Sequence, residues 1–338
     1  MKLLSTRYIV IFAASVLIAI GIGFFVGRQF AAPGPASSNS NKPEPASMTE
    51  TRSGGYRFIN PLLECDAFTS TSNVTVFEME KEVRNYIAAE QAANKVSHVS
   101  VYFRDLNNGP WMGINERENY SPASLLKVPV LIAVLKEAEA NKELLNQKLT
   151  FTGALQDKNI GQNIVDGELI KPGGSYTVAD LLQRMIEFSD NGAKDLLVNA
   201  IGVDKYDRTL TDLGVIIPGE RALSDFMPVR DYSTFFRILY NATYLSSEMS
   251  EKALLILSKT RFDKGLLAGV PAGTLISHKF GERAYEDADT KQLHDCGIVY
   301  AGGKPYLLCV MTRGKDFVKM QSVIARISAI VYKKVTTE

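Results

Sequence analysis

The sequence predicts an α+β fold: a five-stranded antiparallel sheet covered by an N-terminal and a C-terminal helix, with an all-helical lobe inserted between the strands. Two segments alternate apolar and polar residues in strand fashion, a long and mostly helical stretch follows, and three more strand segments come after it. The chain closes on residues 316–335, whose apolar side chains recur at helical spacing. This order predicts one domain over residues 56–338.

The N-terminal part of the chain is different in kind. Residues 8–27 are an uncharged apolar run. As a helix this run would be about 30 Å long, which is enough to span a bilayer. Lys2 and Arg7 precede it, which favours a cytoplasmic tail over residues 1–7 and an exported remainder. Residues 28–55 are rich in Pro, Ser, Asn and Gly and are predicted to be a disordered linker. A cleaved signal peptide is the rival interpretation, but the run is long and continues into Arg and Gln, so we expect a single-pass anchor with an extracytoplasmic domain.

The first half of the sheet is predicted directly after the linker. Residues 75–95 carry apolar side chains at helical spacing between Glu and Lys, which is typical of an amphipathic surface helix. Residues 96–104 alternate as a strand, a turn with two asparagines and a glycine follows, and residues 110–115 form the returning strand.

A buried helix is predicted to begin at Ser121. This serine would be the N-cap, Pro122 would be the first helical residue, and the apolar run that follows is interrupted only by Lys127. Ser124 and Lys127 are three residues apart and therefore project from the same side of the first turn. A serine beside a buried lysine is a candidate nucleophile, with the lysine as its candidate base.

The inserted lobe is predicted over residues 136–267. Thr177 is expected to cap one of its helices, residues 189–191 interrupt the helical pattern, and further helices are expected over 232–244 and from Ser250 onward.

The last three strands carry two of the three cysteines. They are predicted at residues 274–280, 294–301 and 306–312. If Gly302 and Gly303 form a two-residue hairpin turn, Cys296 lies directly opposite Cys309. A disulfide and a pair of reduced core cysteines both fit that register.

Composition excludes several classes of function. The formal net charge is +1 and there is no long basic run, so a nucleic-acid partner is not expected. The three histidines, His98, His278 and His294, have no metal-ligand spacing, and the cysteines are too dispersed for a zinc site. No metal or cofactor is expected, and we expect a monomer.

The residues that predict chemistry lie in three motifs. Their order along the chain is Ser124-x-x-Lys127, Ser189-Asp190-Asn191 and Lys279-Phe280-Gly281. Each alone has an ordinary structural explanation, such as a helix cap or a solvated strand lysine. Together and in this order they resemble the class A β-lactamases and the penicillin-binding D,D-peptidases. The resemblance covers residues 75–338 and implies a β-lactamase-like fold.

The resemblance implies a role for each residue of the first two motifs. Ser124 would be the acylated nucleophile, and Lys127 would take its proton. A nearby cation and burial would both keep that amine partly neutral, as the role requires. Ser189 would relay a proton to the leaving nitrogen, while Asn191 would fix the lysine and the substrate amide.

The third motif is expected to bind substrate. By the resemblance, Lys279 would attract the substrate carboxylate and steady the serine of the second motif, and Gly281 would leave room for substrate along the strand edge. The backbone N–H groups of Ser124 and Glu282 would form the oxyanion hole. The family usually has Thr or Ser where this chain has Phe280, so a hydroxyl that helps hold the carboxylate is missing. Arg283 could compensate through its guanidinium.

A second departure concerns deacylation. Class A β-lactamases carry a glutamate after the second motif, with an asparagine four residues on, and this pair activates the deacylating water. No glutamate between Asn191 and Lys279 has that partner, although Glu220 or Asp225 could substitute as the base. Without a base, the acyl-enzyme would hydrolyse slowly, as in a penicillin-binding protein.

Three functions follow from these observations. The first is a membrane-anchored serine β-lactamase, and the second is a D,D-carboxypeptidase acting on the D-alanyl-D-alanine ends of peptidoglycan stem peptides. The third is a non-catalytic wall-binding or sensor module. The presence of all the motif side chains argues against the third, the missing glutamate favours the second, and the overall layout favours the first.

Overall fold

The computed structural model describes residues 50–52, 54–65, 74–107, 109–153, 167–215, 225–285 and 288–337. The cytoplasmic tail, the anchor and most of the linker lie outside these residues, so their assignment stays a prediction. Within the described ranges, no helix combines the length and the hydrophobicity that a bilayer span needs.

A five-stranded antiparallel sheet organises the domain, as the sequence predicted, in the order β4-β3-β11-β10-β9. Short two-stranded pairs, β1 with β2, β5 with β8 and β6 with β7, accompany it. The strands are β1 Glu50–Arg52, β2 Leu62–Cys65, β3 His98–Asp105, β4 Trp111–Ile114, β5 Asn119–Tyr120, β6 Lys148–Thr150, β7 Ser175–Thr177, β8 Met227–Pro228, β9 Leu275–Tyr285, β10 Ala288–Ala301 and β11 Lys304–Gly314. Strand β9 lies at the edge of the large sheet.

Helices cover both faces of this sheet. They are α1 Val74–Ala92, α2 Lys127–Ala140, α3 Val178–Glu187, α4 Asn191–Ile201, α5 Val203–Asp212, α6 Val229–Asn241, α7 Ser247–Leu257 and α8 Phe317–Thr336, with 3₁₀ turns at Ala123–Leu126, Lys142–Asn146 and Leu266–Gly269. Helices α1 and α8 pack on one face through buried stripes such as Met79 with Val83 and Ile324 with Ile327. The inserted lobe packs on the other face around α2, most of whose side chains are buried.

The β10–β11 hairpin has the register that the sequence predicted. Both turn residues, Gly302 and Gly303, have positive φ (53° and 86°), as a type I′ turn requires. Cys296 pairs with Cys309 across the strands. Both thiols are buried and free, so of the two alternatives the structure has the reduced pair.

The start of the buried helix differs from the prediction. Ser121 does not cap it; a 3₁₀ turn over Ala123–Leu126 comes first, and α2 begins at Lys127. Ala123 has φ +47°, in the left-handed region, so the chain turns sharply before the helix. The cap predicted at Thr177 is confirmed, because its side chain accepts a hydrogen bond from the Asp180 N–H.

Candidate active site

Ser124, the candidate nucleophile, lies on the 3₁₀ turn over Ala123–Leu126 that precedes α2, which we call the nucleophile turn. In a 3₁₀ turn, side chains three residues apart are eclipsed, so Lys127 extends directly over Ser124. Lys127 Nζ donates a hydrogen bond to Ser124 Oγ at 2.8 Å. The left-handed Ala123 just before the serine is a locally strained residue of the kind that clusters at functional sites.

Lys127 is enclosed by the residues of the second motif. Its amine also donates to Asn191 Oδ1 at 2.7 Å and to Ser189 Oγ at 3.3 Å, and the residue is only 2% exposed. Burial, helped by the nearby cation of Lys194, lowers the pKa of Lys127 to about 7. An amine with this pKa is partly neutral at neutral pH and is able to accept a proton.

The second motif owes its position to a sharp turn between α3 and α4. Ser189 adopts a left-handed φ of +57°, which ends the path of α3 and projects the following residues into a new helix. Asp190 is the N-cap of α4: its Oδ1 accepts from the Ala193 N–H at 3.1 Å, and its Oδ2 accepts from the Ile170 N–H at 2.7 Å. The middle residue of the motif therefore holds the turn, while its two neighbours face the amines.

The third motif brings a second amine to the same serine. Lys279 on β9 is fully buried, and its Nζ donates to Ser189 Oγ at 3.1 Å and to the Phe280 carbonyl at 3.0 Å. Burial, together with the charge of Lys127, lowers the pKa of Lys279 well below its ordinary value. Ser189 Oγ thus lies between two amines and can pass a proton in either direction.

Strand β9 packs directly against the nucleophile turn at Gly281. A Cβ at this position would lie 2.8 Å from the Pro122 carbonyl oxygen and 2.9 Å from Leu125 Cγ. Only glycine allows this approach without displacing the turn. The sequence suggested that this glycine leaves room for substrate; the structure gives it a packing reason, and the substrate role stays a prediction.

Phe280 changes the surroundings of the second amine. Its ring is buried and stacked on Phe262 with centroids 4.6 Å apart. The Lys279 amine lies 4.0 Å from the centroid of the Phe280 ring. An aromatic face therefore neighbours the amine where the family usually provides a hydroxyl.

Of the two candidates for the deacylation base, the structure describes only Asp225. Glu220 lies outside the described residues. Asp225 is described: its Oδ1 accepts from Gln292 Nε2 at 2.9 Å, and its Oδ2 pairs with Arg313 at 3.0 Å. Because Gln292 Oε1 also accepts from the Ser121 N–H at 3.0 Å, Asp225 supports the chain just before the nucleophile turn. Its role as a base stays a prediction.

Several supporting residues had no local signal in the sequence. Lys194, which depresses the pKa of Lys127, forms an ion pair with Asp195 at 2.7 Å. His294 lies 3.0 Å from the Ser121 carbonyl oxygen through Nε2, and burial lowers its pKa to about 4, so a neutral ring donates this hydrogen bond. Among the described residues, no group of three or more His, Cys, Asp or Glu could hold a metal ion.

We expect the rate of acylation by a fluorescent penicillin to rise with pH through about 7. Only the neutral amine accepts the serine proton, and the pKa of Lys127 is lowered to about 7, so the rate should fall about tenfold per pH unit below that value. The inflection belongs to the coupled pair of Lys127 and Lys279, since both contact Ser189 Oγ. Single-turnover labelling measures this profile. A rate that stays flat or increases toward acid pH would contradict the role of the amine.

Comparisons with known proteins agree with the geometry. A sequence model described as the beta-lactamase enzyme family matches residues 78–335. A beta-lactamase of Streptomyces fradiae is 23% identical over 232 residues, which are 64% of this chain and 74% of that protein.

Two solved structures share the fold. A class A beta-lactamase from Bacteroides cellulosilyticus superposes with a TM-score of 0.65 at 18% identity, covering 77% of this chain and 99% of that one. A PBP-A mutant, solved as its acyl-enzyme complex with penicillin G, gives a TM-score of 0.62 at 21% identity, covering 76% of this chain and 96% of that one.

Proposed function

The chain belongs to the beta-lactamase enzyme family, and from that premise we propose that it is a serine hydrolase that forms an acyl-enzyme on Ser124 with β-lactam amides and then hydrolyses it. The observation that carries this proposal is the 2.8 Å contact between Ser124 Oγ and the Lys127 amine. A serine beside an amine with a pKa of about 7 is an activated nucleophile.

Acylation in this site follows from the contacts. Neutral Lys127 accepts the proton of Ser124 as the oxygen attacks the β-lactam carbonyl, and backbone N–H groups stabilise the oxyanion. The bond from the carbonyl carbon to nitrogen then breaks. The leaving nitrogen receives a proton through Ser189, whose Oγ lies within 3.3 Å of one amine and 3.1 Å of the other. Asn191 holds the Lys127 amine in place throughout.

Deacylation separates the two catalytic alternatives. Attack of water on the acyl-enzyme needs a base, and we assign Glu220 as the first candidate because both Asp225 oxygens are already engaged by Gln292 and Arg313. A site without an effective base retains the acyl group, which is how a D,D-carboxypeptidase of the penicillin-binding type responds to β-lactams. If Glu220 does not activate water either, the site has no base for deacylation, and the D,D-carboxypeptidase becomes the favoured function.

The place of the reaction is also part of the proposal. The apolar run over residues 8–27, with Lys2 and Arg7 before it, supports a single-pass anchor and a domain outside the cytoplasm. Both substrate classes, β-lactams and peptidoglycan stem peptides, would meet the domain there. The reaction needs one copy of the chain, consistent with a monomer.

A time course with fluorescent penicillin tests the function. We expect a label that forms on the wild-type protein and clears, with steady release of hydrolysed product. The Glu220→Gln variant should form the label at an unchanged rate but clear it about 100-fold more slowly, since general-base catalysis contributes on this scale. Asp225→Asn, the matched variant, should clear it normally.

Other outcomes of this time course would contradict either the β-lactamase function or the assignment of Glu220 as the base. A label that persists on the wild-type protein for hours would favour the D,D-carboxypeptidase. The absence of any label would favour the non-catalytic module. Slow clearance confined to Asp225→Asn would transfer the base role from Glu220 to Asp225.

A further inference from the structure

An exposed tryptophan at the β4 edge of the large sheet lies among arginine side chains. Trp111 on β4 is 45% exposed and is the only tryptophan in the sequence. Arg104 on β3 is its direct cross-strand partner, so the two side chains share one face of the sheet. The Arg230 guanidinium on α6 lies 5.4 Å from the centroid of the Trp111 ring. Arg237 follows Arg230 by seven residues, close to two helical turns, and lies on the same side of α6. We call these four residues the arginine–tryptophan cluster.

The guanidinium groups of this cluster have no anionic partner among the described residues. None of them forms an ion pair or a side-chain hydrogen bond with a residue in the part of the chain that the structure describes. Burial, together with the charges of Arg104 and Arg230, lowers the pKa of Arg237. Positive charges are therefore held close together at a cost, which an anionic ligand would offset.

The cluster is separate from the candidate active site. Strands β4 and β3 lie at one edge of the sheet, whereas β9 lies at the other. Arg104 on β3 is three strand spacings from β9, about 14 Å. A ligand of the cluster is therefore different from the amide that Ser124 attacks.

The chain enters the domain beside this cluster. The Asn60 N–H donates to the carbonyl oxygen of Tyr240 at 2.9 Å, and the Arg52 guanidinium lies 5.6 Å from the centroid of the Tyr240 ring. Tyr240 is three residues after Arg237 on α6, which is less than one helical turn. The segment that connects the domain to the predicted anchor over residues 8–27 therefore contacts the same end of α6 as Arg237.

An anionic membrane surface fits the chemistry of these side chains. Guanidinium groups bind phosphate through parallel N–H donors. Tryptophan favours the level of the headgroups, where its ring meets apolar and polar groups together. Each arginine near an anionic lipid surface gains electrostatic attraction. A linker that holds the domain close to the bilayer raises the effective concentration of that surface.

We propose that the arginine–tryptophan cluster docks the domain on the anionic phospholipid surface of the membrane that carries the anchor. The guanidinium groups bind lipid phosphates, and the Trp111 ring lies among the headgroups. This inference rests on the anchor that we propose over residues 8–27, and it adds a surface contact to that anchor.

The full-length protein reconstituted into lipid vesicles provides the test, because its tryptophan fluorescence comes from Trp111 alone. One set of vesicles contains only phosphatidylcholine, and the other is an equal mixture with phosphatidylglycerol. We expect the anionic vesicles to shift the Trp111 emission to shorter wavelength and to protect it from quenching by acrylamide. High salt should reverse both effects, since it screens the attraction.

Combining Arg104→Gln, Arg230→Gln and Arg237→Gln in one protein should abolish the response to phosphatidylglycerol. Each single substitution should weaken the docking equilibrium about fivefold, the contribution of one arginine near an anionic surface. Thermal melts and the rate of penicillin labelling at Ser124 test whether these variants are folded.

The matched control removes the same charge from another surface of the domain. It combines Lys319→Gln, Arg326→Gln and Lys333→Gln, which replace three exposed cations on α8. Helix α8 covers the other face of the sheet, so this variant should respond to phosphatidylglycerol as the wild-type protein does.

Contrary results separate the docking proposal from the proposals on which it depends. Trp111 emission that is the same in both kinds of vesicle, or a shift that survives in the triple arginine variant, would overturn docking and leave the anchor and the acylation of Ser124 intact. A response to inorganic pyrophosphate in neutral vesicles, with none to phosphatidylglycerol, would overturn it in favour of a soluble anion. A protein that does not float with neutral vesicles would overturn the anchor and this inference with it.

Discussion

Replacing Ser124 by alanine should abolish the covalent adduct with fluorescent penicillin and lower the turnover of a chromogenic β-lactam by about 10⁶-fold, the scale measured when a serine nucleophile is removed. The structure gives the physical reason. Ser124 Oγ is the hydroxyl 2.8 Å from the Lys127 amine, on a turn fixed by the close approach of Gly281. Gel fluorescence after labelling and initial rates of hydrolysis measure the two effects.

Ser322→Ala is the matched control for this substitution. Ser322 is exposed on α8, and its hydroxyl bonds only to the helix backbone in the contacts described, at Val318. Both variants should melt at the wild-type temperature, since each removes one small hydroxyl. A label that survives in Ser124→Ala would place the nucleophile elsewhere.

Replacing Lys127 by arginine or methionine should slow acylation by about 10³-fold, within the range expected for a general base. Arginine keeps a positive charge but cannot release its proton at these pH values, whereas methionine removes the charge and keeps the length. If proton acceptance is the function of the amine, both variants lose activity to a similar degree. Single-turnover labelling measures the rate.

The two Lys127 variants also separate chemistry from electrostatics. An arginine variant that acylates at the wild-type rate would indicate that Lys127 acts by charge alone. Lys136→Arg is the control on the same helix, where Lys136 forms an ion pair with Glu139. Thermal melts followed by circular dichroism test whether the Lys127 variants are folded. This control is needed because methionine removes the hydrogen bond that the Lys127 amine donates to Asn191 Oδ1.

The parts of the fold that sequence predicted correctly rest on local periodicity. The stripe of α8 is visible because Met320, Ile324 and Ile327 recur at helical spacing, and all three are buried. The pairing of Cys296 with Cys309 follows from a two-glycine turn and simple counting. The five-stranded sheet follows from the number and order of the strand segments.

Other parts could not be predicted, because tertiary contacts determine them. Helix α5 over Val203–Asp212 lies inside the predicted helical lobe but could not be delimited, because polar residues dominate it and few of its side chains, such as Tyr206 and Leu210, are buried. The 3₁₀ turn before Lys127 depends on a left-handed Ala123, for which no residue preference gives a signal.

The same distinction applies to the site. The order of the three motifs predicted which side chains to look for, and the structure brings Ser124, Lys127, Ser189 and Lys279 into one hydrogen-bonded chain. The burial of the Lys279 side chain could not be predicted, because a single lysine on a strand is usually solvated and only tertiary packing encloses this one.

The location of the covalent bond tests most directly whether Ser124 is the nucleophile. The protein would be incubated with penicillin G, quenched in acid within seconds, digested and analysed by tandem mass spectrometry. Acylation of Ser124 predicts an intact-protein mass increase of one penicillin G, carried by the peptide that contains Ser124 and lost when the sample is left to turn over. Penicillin G consumed with no adduct at Ser124, or an adduct on another residue, would contradict it.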